Sequence, residues 1–543
     1  MVQQRALNGR LIPAAVILGV SSLISRGVGL LRERVLTTTF GAGDVFDAFV
    51  AAFRVPDLVF NLVVLGALSA SFIPLFTGRL VRGKDGEAQA WRFALTVLNV
   101  VLIAVGVLAL LYALLAPWIV RLLTPGFSGE KLALTVHLSR IMAWQPILLG
   151  ASFVFSGVLN SYRRFVAYAL APVLYNLGII AGVLWLVPSL GTAGLAWGVV
   201  MGAVLHLAVQ VPSMVRLGFR WRPILDMRSR EMAALFRMML PRVVGLGATQ
   251  VNLLTVTVLG STLLAGSLTA FHLANNLQYV PIGIVGIAFA QAAFPAMAEY
   301  MARGQRAAFL RVLTGAFRYI LFLVVPLSLF MYLLRAQTIR VFFGDGAFDW
   351  EDTILTLQTL GWLTFSIFAQ AVIPLLARAF YVQQDTKTPV IIAVVSMIVN
   401  VAAAVSLSLF LPSLGVEALA IAFSLSALVN MSLLLIVLHK RLGGFDDARV
   451  LMSALRIALA ALGGGAVLQL LKEPVAVVVA MDRFWGVATQ LIVTAAAGAA
   501  AYLLFAWLLN SPELKALKSY LPRRVELDLA SGIETPRFGG LPD

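Results

Sequence analysis

Residues 25–74 read SRGVGLLRERVLTTTFGAGDVFDAFVAAFRVPDLVFNLVVLGALSASFIP, and they set both the fold class and the chemistry to look for. They put Arg26, Arg32, Asp47, Arg54 and Asp57 in or beside sequence apolar enough to enter a bilayer. A charged side chain at the centre of a bilayer costs at least ~3 kcal/mol on insertion scales. Several in one hairpin must therefore be shielded from lipid, either paired to lock the hairpin or kept for a ligand. Arg26 lies fifteen residues past Leu11, where the apolar run begins. At ~1.5 Å per residue, that is most of the way across a ~30 Å hydrocarbon core. A face carrying Arg26 and Arg54 away from lipid is a site for an anion.

Working outward, the same character fills the chain. Of its 543 residues 60% are hydrophobic and 12% charged, with a mean hydropathy of +0.94, where soluble domains carry about 25% charged residues. Apolar runs of spanning length recur from Leu11 to Leu509, and the alternating ten-residue strands of a barrel are absent. The expectation is an all-α polytopic membrane protein of about fourteen helices: 11–38, 45–77, 91–121, 134–160, 167–187, 192–215, 233–260, 267–299, 308–334, 354–382, 389–411, 415–438, 451–471 and 484–509. Arg5 and Arg10 before the first run read as the start of an uncleaved helix. The 44 glycines suit helices that pack through small residues.

The net charge of +16 does not indicate nucleic acid here, because the basic residues fall in alternate loops. Arg79, Arg82, Lys84 and Arg92, then Arg163 and Arg164, then Arg216 to Arg230, then Arg303 to Arg311, then Lys440, Arg441 and Arg449 all lie on one side. The loops at 188–191, 262–266 and 412–414 are nearly free of charge, and the one at 345–352 is acidic. By the positive-inside rule both termini are cytoplasmic. There is no cysteine, and the four histidines are scattered, which excludes disulfides and thiolate metal sites. No P-loop, nucleophile elbow or zinc motif is present, so the chain does not read as an enzyme and has no ATP drive.

The sequence repeats internally. Asn176 with VPSLGTAGLAWG is echoed 224 residues on by Asn400 with LPSLGVEALAIA, and Pro56 in FRVPDLVFNLVV by Pro281 in LQYVPIGIVGIA. Six crossings return a chain to its starting side, so the two copies share an orientation, as in parallel-repeat transporters. The expected organisation is a six-helix bundle at 1–230, its repeat at 231–440, two further helices at 441–510 and a cytoplasmic tail at 511–543. Two bundles rocking about a central site suit transport. A scaffold that recruits partners would carry a large cytoplasmic domain or a long motif-bearing tail.

The motifs of the opening stretch resemble the MurJ (MviN-type) family of lipid II flippases, within the multidrug/oligosaccharidyl-lipid/polysaccharide exporter superfamily. Ser25-Arg26 with Gly29 and Arg32, Phe40-Gly41-Ala42-Gly43 followed by Asp47-Ala48-Phe49 and Pro56, and Gly66-Ala67-Leu68-Ser69 with Ala70, Phe72, Ile73 and Pro74 carry the likeness. So do Phe380-Tyr381 and Asp385-Thr386-Lys387-Thr388-Pro389. The resemblance implies a partner: an undecaprenyl pyrophosphate-linked glycopeptide, moved between leaflets for cell-wall synthesis. Arginine suits a diphosphate because its planar fork gives paired, permanently charged hydrogen bonds. The family places the lipid tail on the last two helices, here rich in Ala, Gly and Leu.

The chain also departs from the family. Phe60 and Asn61 stand where an Arg pair follows the proline, Leu65 where an acid precedes the GA-S motif, and Asn276 where the eighth helix carries an Arg. The candidates for the diphosphate are thus Arg26, Arg32, Arg54 and Arg242. Arg54 lies six residues from Phe60, within ~9 Å along a helix. Ser25, Asp47, His272, Asn275, Asn276 and Gln278 are candidate cavity groups. Asp47, Gln250, Asn252 and Asn400 are hard oxygen donors for a coupling cation such as Na or H. No cofactor is expected. Arginines in a cavity also respond to membrane potential, at ~2.3 kcal/mol per charge per 100 mV. The competing readings are a flippase for another polyprenyl-linked glycan, of O-antigen or capsule type, which the lost Arg pair favours, and an exporter of cationic drugs, which would want acids in the cavity.

Overall fold

The computed structural model describes the backbone of residues 2–65, 72–81 and 84–520, with side chains from residue 19 onward apart from 63–65, 84, 240–242, 244–246 and 517–520. Motif residues 66–70, the side chains of Leu65 and Arg242, and the tail from 521 lie outside the described residues.

Among the described residues the chain is helical and has no strand. The first half comprises α1 (Val2–Phe40), α2 (Asp44–Val59), α3 (Phe72–Leu80), α4 (Lys84–Leu123), α5 (Gly129–Met142), α6 (Gln145–Ser161), α7 (Phe165–Ala181), α8 (Val187–Leu190), α9 (Ala193–Ala208) and α10 (Val211–Arg216). Then follow α11 (Arg230–Gly260), α12 (Ser267–Pro281), α13 (Ala288–Ala302), α14 (Arg306–Leu333), α15 (Arg335–Phe342), α16 (Trp350–Thr364), α17 (Ile367–Val382), α18 (Lys387–Phe410) and α19 (Val416–Leu442). The last are α20 (Asp447–Val478), α21 (Phe484–Leu508) and the short α22 (Pro512–Tyr520).

Among the described residues, helix occupies most of every stretch expected from the sequence. Among the described residues ten helical segments are long and apolar enough to cross a membrane, and eleven if α16 and α17, bent by 44°, form one span. The remaining expected spans, at α1, α2 and α11, include residues outside the described set.

Local chemistry explains the breaks. A proline has no N–H to give its helix, and Pro56 and Pro281 are each followed by a π-helical turn, Phe60–Leu65 and Ile282–Ile287. Single π turns of this kind concentrate at functional sites. Each PSLG sequence ends on a glycine of positive φ, Gly191 at 59° and Gly415 at 51°.

Small residues bring helices together where apolar burial against water is not available as a driving force. Gly178 of α7 and Gly182, which opens the π turn Gly182–Leu186 after it, lie directly against Gly202 and Gly198 of α9, so that a Cβ at either would collide with the facing backbone. Gly464 of α20 meets the backbone of Gly498 in α21 in the same way.

The buried apolar side chains fall into unequal clusters. One joins Leu36, Phe46 and Phe49 of the first half to Phe271, Phe343 and Leu360 beyond residue 260, at the end of the bundle that carries Gly41. Toward the basic loops the clusters part: Phe72, Phe76, Phe93 and Val97 pack in one, and Phe309, Phe322, Phe380 and Leu468 in another. A core shared at one end and divided at the other leaves room between the halves.

Candidate functional site

That room is a cavity of about 300 Å³ between α1, α2, α7 and α12, lined among others by Arg32, Glu33, Arg54, Asp57, Tyr175 and His272. Asn276 also faces it. Arg32 leaves α1, donates from Nη1 to Asn176 Oδ1 at 3.0 Å, and pairs through Nη2 with the buried carboxylate of Glu33. Glu33 Oε1 also accepts from Asn276 Nδ2 at 3.2 Å and lies 3.4 Å from His272 Nε2. Arg54 donates from Nε to Thr257 Oγ1 of α11 at 2.9 Å. Two guanidinium groups thus face two carboxylates, with an imidazole between them. Arg32 Nε and Glu33 Oε2 are buried without a hydrogen-bond partner among the described residues, so the site keeps donor and acceptor capacity.

The Gly41 end is sealed by backbone. Asp47 is buried on α2, and its Oδ2 accepts the N–H of Gly266 at 2.8 Å. Its Oδ1 accepts the N–H and the hydroxyl of Thr269, at 2.9 and 2.8 Å. The Gly266 N–H at the N-cap and the Thr269 N–H in the first turn both belong to the start of α12, where free N–H groups and the helix dipole favour a carboxylate. Lys131 of α5 holds the same carboxylate at 3.0 Å and Asp44 at 2.7 Å. Alongside, Ala42 N–H donates to Asp352 at 2.8 Å and Ala347 N–H to the Thr38 carbonyl at 2.9 Å. The chains approach closely because Gly41 and Gly266 have no side chain: both have positive φ, and a Cβ would strike the Ala347 and Ala42 carbonyls respectively. Arg34 adds a bond to the Val341 carbonyl at 2.6 Å and an ion pair with Asp345 at 3.0 Å.

The residues singled out from the sequence separate into groups. Arg32, Arg54, His272 and Asn276 line the cavity. Arg26 does not: it is exposed two turns before Arg32, with its guanidinium against Gly283 in the π turn after α12. Ser25 is half-buried beside it. Asn275 and Gln278 bond to each other at 2.9 Å, and Gln278 continues to Gln370 of α17 at 3.0 Å. Gln278 thus links α12 to α17, away from the cavity that His272 and Asn276 line. Asn252 accepts from Asn400 at 3.0 Å, Gln250 is half-buried on the same helix, and Asp47 has the Lys131 ammonium as its cation. These four do not gather at one point.

Glu33, Asn176, Lys131 and Thr269 were not singled out as site residues from the sequence. Glu33 was readable, since LLRERV places an acid inside an apolar run beside Arg32. The Gly266 and Thr269 N–H groups were not, because every residue has one.

The DTKTP signature forms a clasp. Asp385 accepts the N–H groups of Lys387 and Thr388, both at 3.0 Å, and the Thr388 hydroxyl at 2.6 Å. Arg441, at the end of α19, pairs with it at 2.6 Å and lies over the Phe380 ring. Partial burial works against the charged carboxylate, but these bonds prevail and bring its pKa down to about 2.

This architecture is that of transporters of the MOP superfamily. The chain superposes on an inward-facing conformation of a multidrug resistance MATE family transporter of that superfamily with a TM-score of 0.67, over 80% of this chain and 99% of that one, at 15% identity. It superposes on a lipid II flippase MurJ in an inward closed conformation with a TM-score of 0.75, over 91% and 98% of the two chains, at 20% identity. The family model described as lipid II flippase MurJ matches residues 36–489. A probable lipid II flippase MurJ from Rhizobium tropici is 30% identical over 443 residues, which is 79% of this chain and 81% of that protein. The chain belongs to the lipid II flippase MurJ family, a family of multi-span bacterial membrane proteins.

Proposed function

We propose that this protein carries the lipid-linked peptidoglycan precursor, lipid II, from the cytoplasmic to the outer leaflet of the bacterial inner membrane by alternating access. The observation that carries the reading is the polar cavity with Arg32 and Arg54, sealed at the Gly41 end by bonds between α1–α2 and the α12 and 343–352 segments. The alternation of basic loops supports an orientation with both termini in the cytoplasm and the seal on the outer side.

The moving parts are the repeats, 1–230 and 231–440. The paired π turns after Pro56 and Pro281 support that division. A cavity of about 300 Å³ is far smaller than a disaccharide-pentapeptide head group, so loading requires the halves to part toward the basic loops, where their cores are already separate. The diphosphate then meets Arg32 and Arg54. Glu33 and Asp57 compensate these cations while no substrate is bound and give them up when the anion arrives. Movement of these charges across the field supplies a drive from the membrane potential. Residues 441–510 offer the lipid tail a groove.

The test is depletion of the protein in its own bacterium. Lipid II should accumulate on the cytoplasmic side, and the wild-type gene should reverse this while an Arg32→Ala, Arg54→Ala variant does not. Accumulation of a different polyprenyl-linked glycan, with lipid II unchanged, would replace the assigned head group.

A further inference from the structure

A second cationic site lies on the flank of the first half, away from the cavity between the repeats. Near the Gly41 end, α4 and α5 part to leave a groove of about 660 Å³, into which Arg121, His137 and Arg140 project. Its walls are otherwise apolar, with Pro117, Trp118 and Leu132. No acid lines it. Arg121, His137 and Arg140 are all exposed. Arg140 donates only from Nε, to the Ala113 carbonyl at 3.2 Å, which leaves both Nη groups directed elsewhere. Arg121 makes no hydrogen bond or ion pair among the described residues.

The placement is what makes these cations unusual. Ala113 precedes Arg121 by eight residues of α4, so Arg140 is tethered ~12 Å deeper along the helix than Arg121. The outer face of α4 is an unbroken lipid-facing stripe with Leu110, Leu111, Leu114, Leu115 and Leu122 exposed. An exposed guanidinium at such depth beside acyl chains is costly unless an anion meets it. The cations form a ladder from the helix end inward, and the leucine stripe runs on from it. This is the outline of one molecule with an anionic head and apolar chains.

We propose that the α4–α5 groove binds an anionic glycerophospholipid of the surrounding bilayer, with its phosphate between Arg121 and Arg140, His137 beside it, and an acyl chain along the α4 leucines. Trp118, which is 75% exposed, sits where an indole borders the head-group region. The bound lipid would brace α5, whose opposite face presents Lys131 to Asp47 in the seal.

The test uses the full chain in nanodiscs containing phosphatidylglycerol or phosphatidylcholine with a photoactivatable head group, followed by peptide mapping of the adducts. Phosphatidylglycerol should label residues 117–140 well above phosphatidylcholine. Arg121→Gln should reduce that labelling about fivefold, and Arg121→Gln with Arg140→Gln about 25-fold, as expected for one and two cations facing an anionic lipid. Labelling at the basic loops serves as the internal control and should not change. Arg121→Gln breaks no hydrogen bond, so it carries the test if the Arg140 variant folds poorly. Excess inorganic phosphate should leave the labelling intact. Equal labelling by the two lipids, retention of labelling in the variants, or displacement by free phosphate would each overturn the proposal.

Discussion

Asp47 Oδ2 accepts the backbone N–H of Gly266 at 2.8 Å, across 219 residues of sequence and between the two halves of the bundle. A carboxylate on one half thus caps a helix of the other, and the bond lasts only while the two are closed together. Each hydrogen bond to a charged group is worth ~1.5–3 kcal/mol, so loss of one shifts an open–closed balance by roughly ten- to a hundredfold.

Asp47→Asn should therefore favour opening at the Gly41 end. The amide keeps one acceptor but loses its charge, and Lys131 loses a partner. The chain has no cysteine, so Gly43→Cys with Ala265→Cys gives a clean reporter. Disulfide yield between them should fall at least severalfold in the Asn variant. Unchanged yield would mean that Asp47 does not hold the seal.

Arg32→Ala should lower thermal stability more than its loss of contacts suggests. Glu33 is only 2% exposed, and removing the partner of a buried charge costs ~3–5 kcal/mol. Adding Glu33→Gln should recover most of the melting temperature without restoring transport. If the double variant complements a depleted strain, Arg32 serves structure alone.

Arg54 behaves differently because its bond goes to Thr257, on α11, rather than to Asp57 three residues away. Arg54→Ala should abolish complementation, while Asp57→Asn should leave most of it. Phe60→Arg should not rescue Arg54→Ala. Phe60 packs edge-on against Phe153 of α6, with ring centres 6.4 Å apart, and the cavity is lined by other residues. Equal damage from Arg54→Ala and Asp57→Asn would point to a pair that only steadies α2.

The Asp385 clasp gives a pH dependence of definite sign. Its pKa is lowered to about 2, so its contribution is fully present above the ordinary aspartate value near ~4. The contribution is lost as pH falls through about 2. Solvent reaches the group, so the effect is at most ~1 kcal/mol. Asp385→Asn should lower the melting temperature slightly at pH 7, and the difference should shrink steadily as pH falls from ~4 toward about 2. A gap of unchanged size across that range would place the effect elsewhere.

Periodicity, length and charge made the helices legible, and the match of Pro56 to Pro281 marked the repeat, but the π turns that follow each proline carry no sequence signal of their own. The site was legible only in part. The sequence marks His272, Asn275, Asn276 and Gln278 as one polar stretch, but a helix turns 100° per residue. Residues 272 and 276 share the cavity face, Gln278 turns to Gln370 of α17, and Asn275 bonds back to Gln278. Depth along α1 suggested that Arg26 would line the cavity. Depth does not fix azimuth, and the structure turns it toward Gly283.

That contact leads to the last prediction. The Arg26 guanidinium lies so close to Gly283 that a Cβ there would overlap it. The obstructing group is the end of a flexible side chain, so Gly283→Ala should fold normally and displace the guanidinium instead. Arg26 is then not a free cavity cation but a contact between α1 and the π turn of the second half, of the kind that must alter when the halves rock. If that contact is what transport needs, Arg26→Ala, Gly283→Ala and the double variant should all fail to the same extent, because each removes one shared interaction. Neighbours that act together depart from additivity in this way, by ~0.5–3 kcal/mol in measured cycles. Arg26→Lys should fail as well, since a point charge on a flexible stem does not replace a planar fork lying flat on a glycine. The measurement is complementation of a depleted strain at matched protein levels, with lipid II accumulation as the second readout. Full activity in Gly283→Ala combined with none in Arg26→Ala would separate the two residues and leave the arginine a role toward the substrate itself.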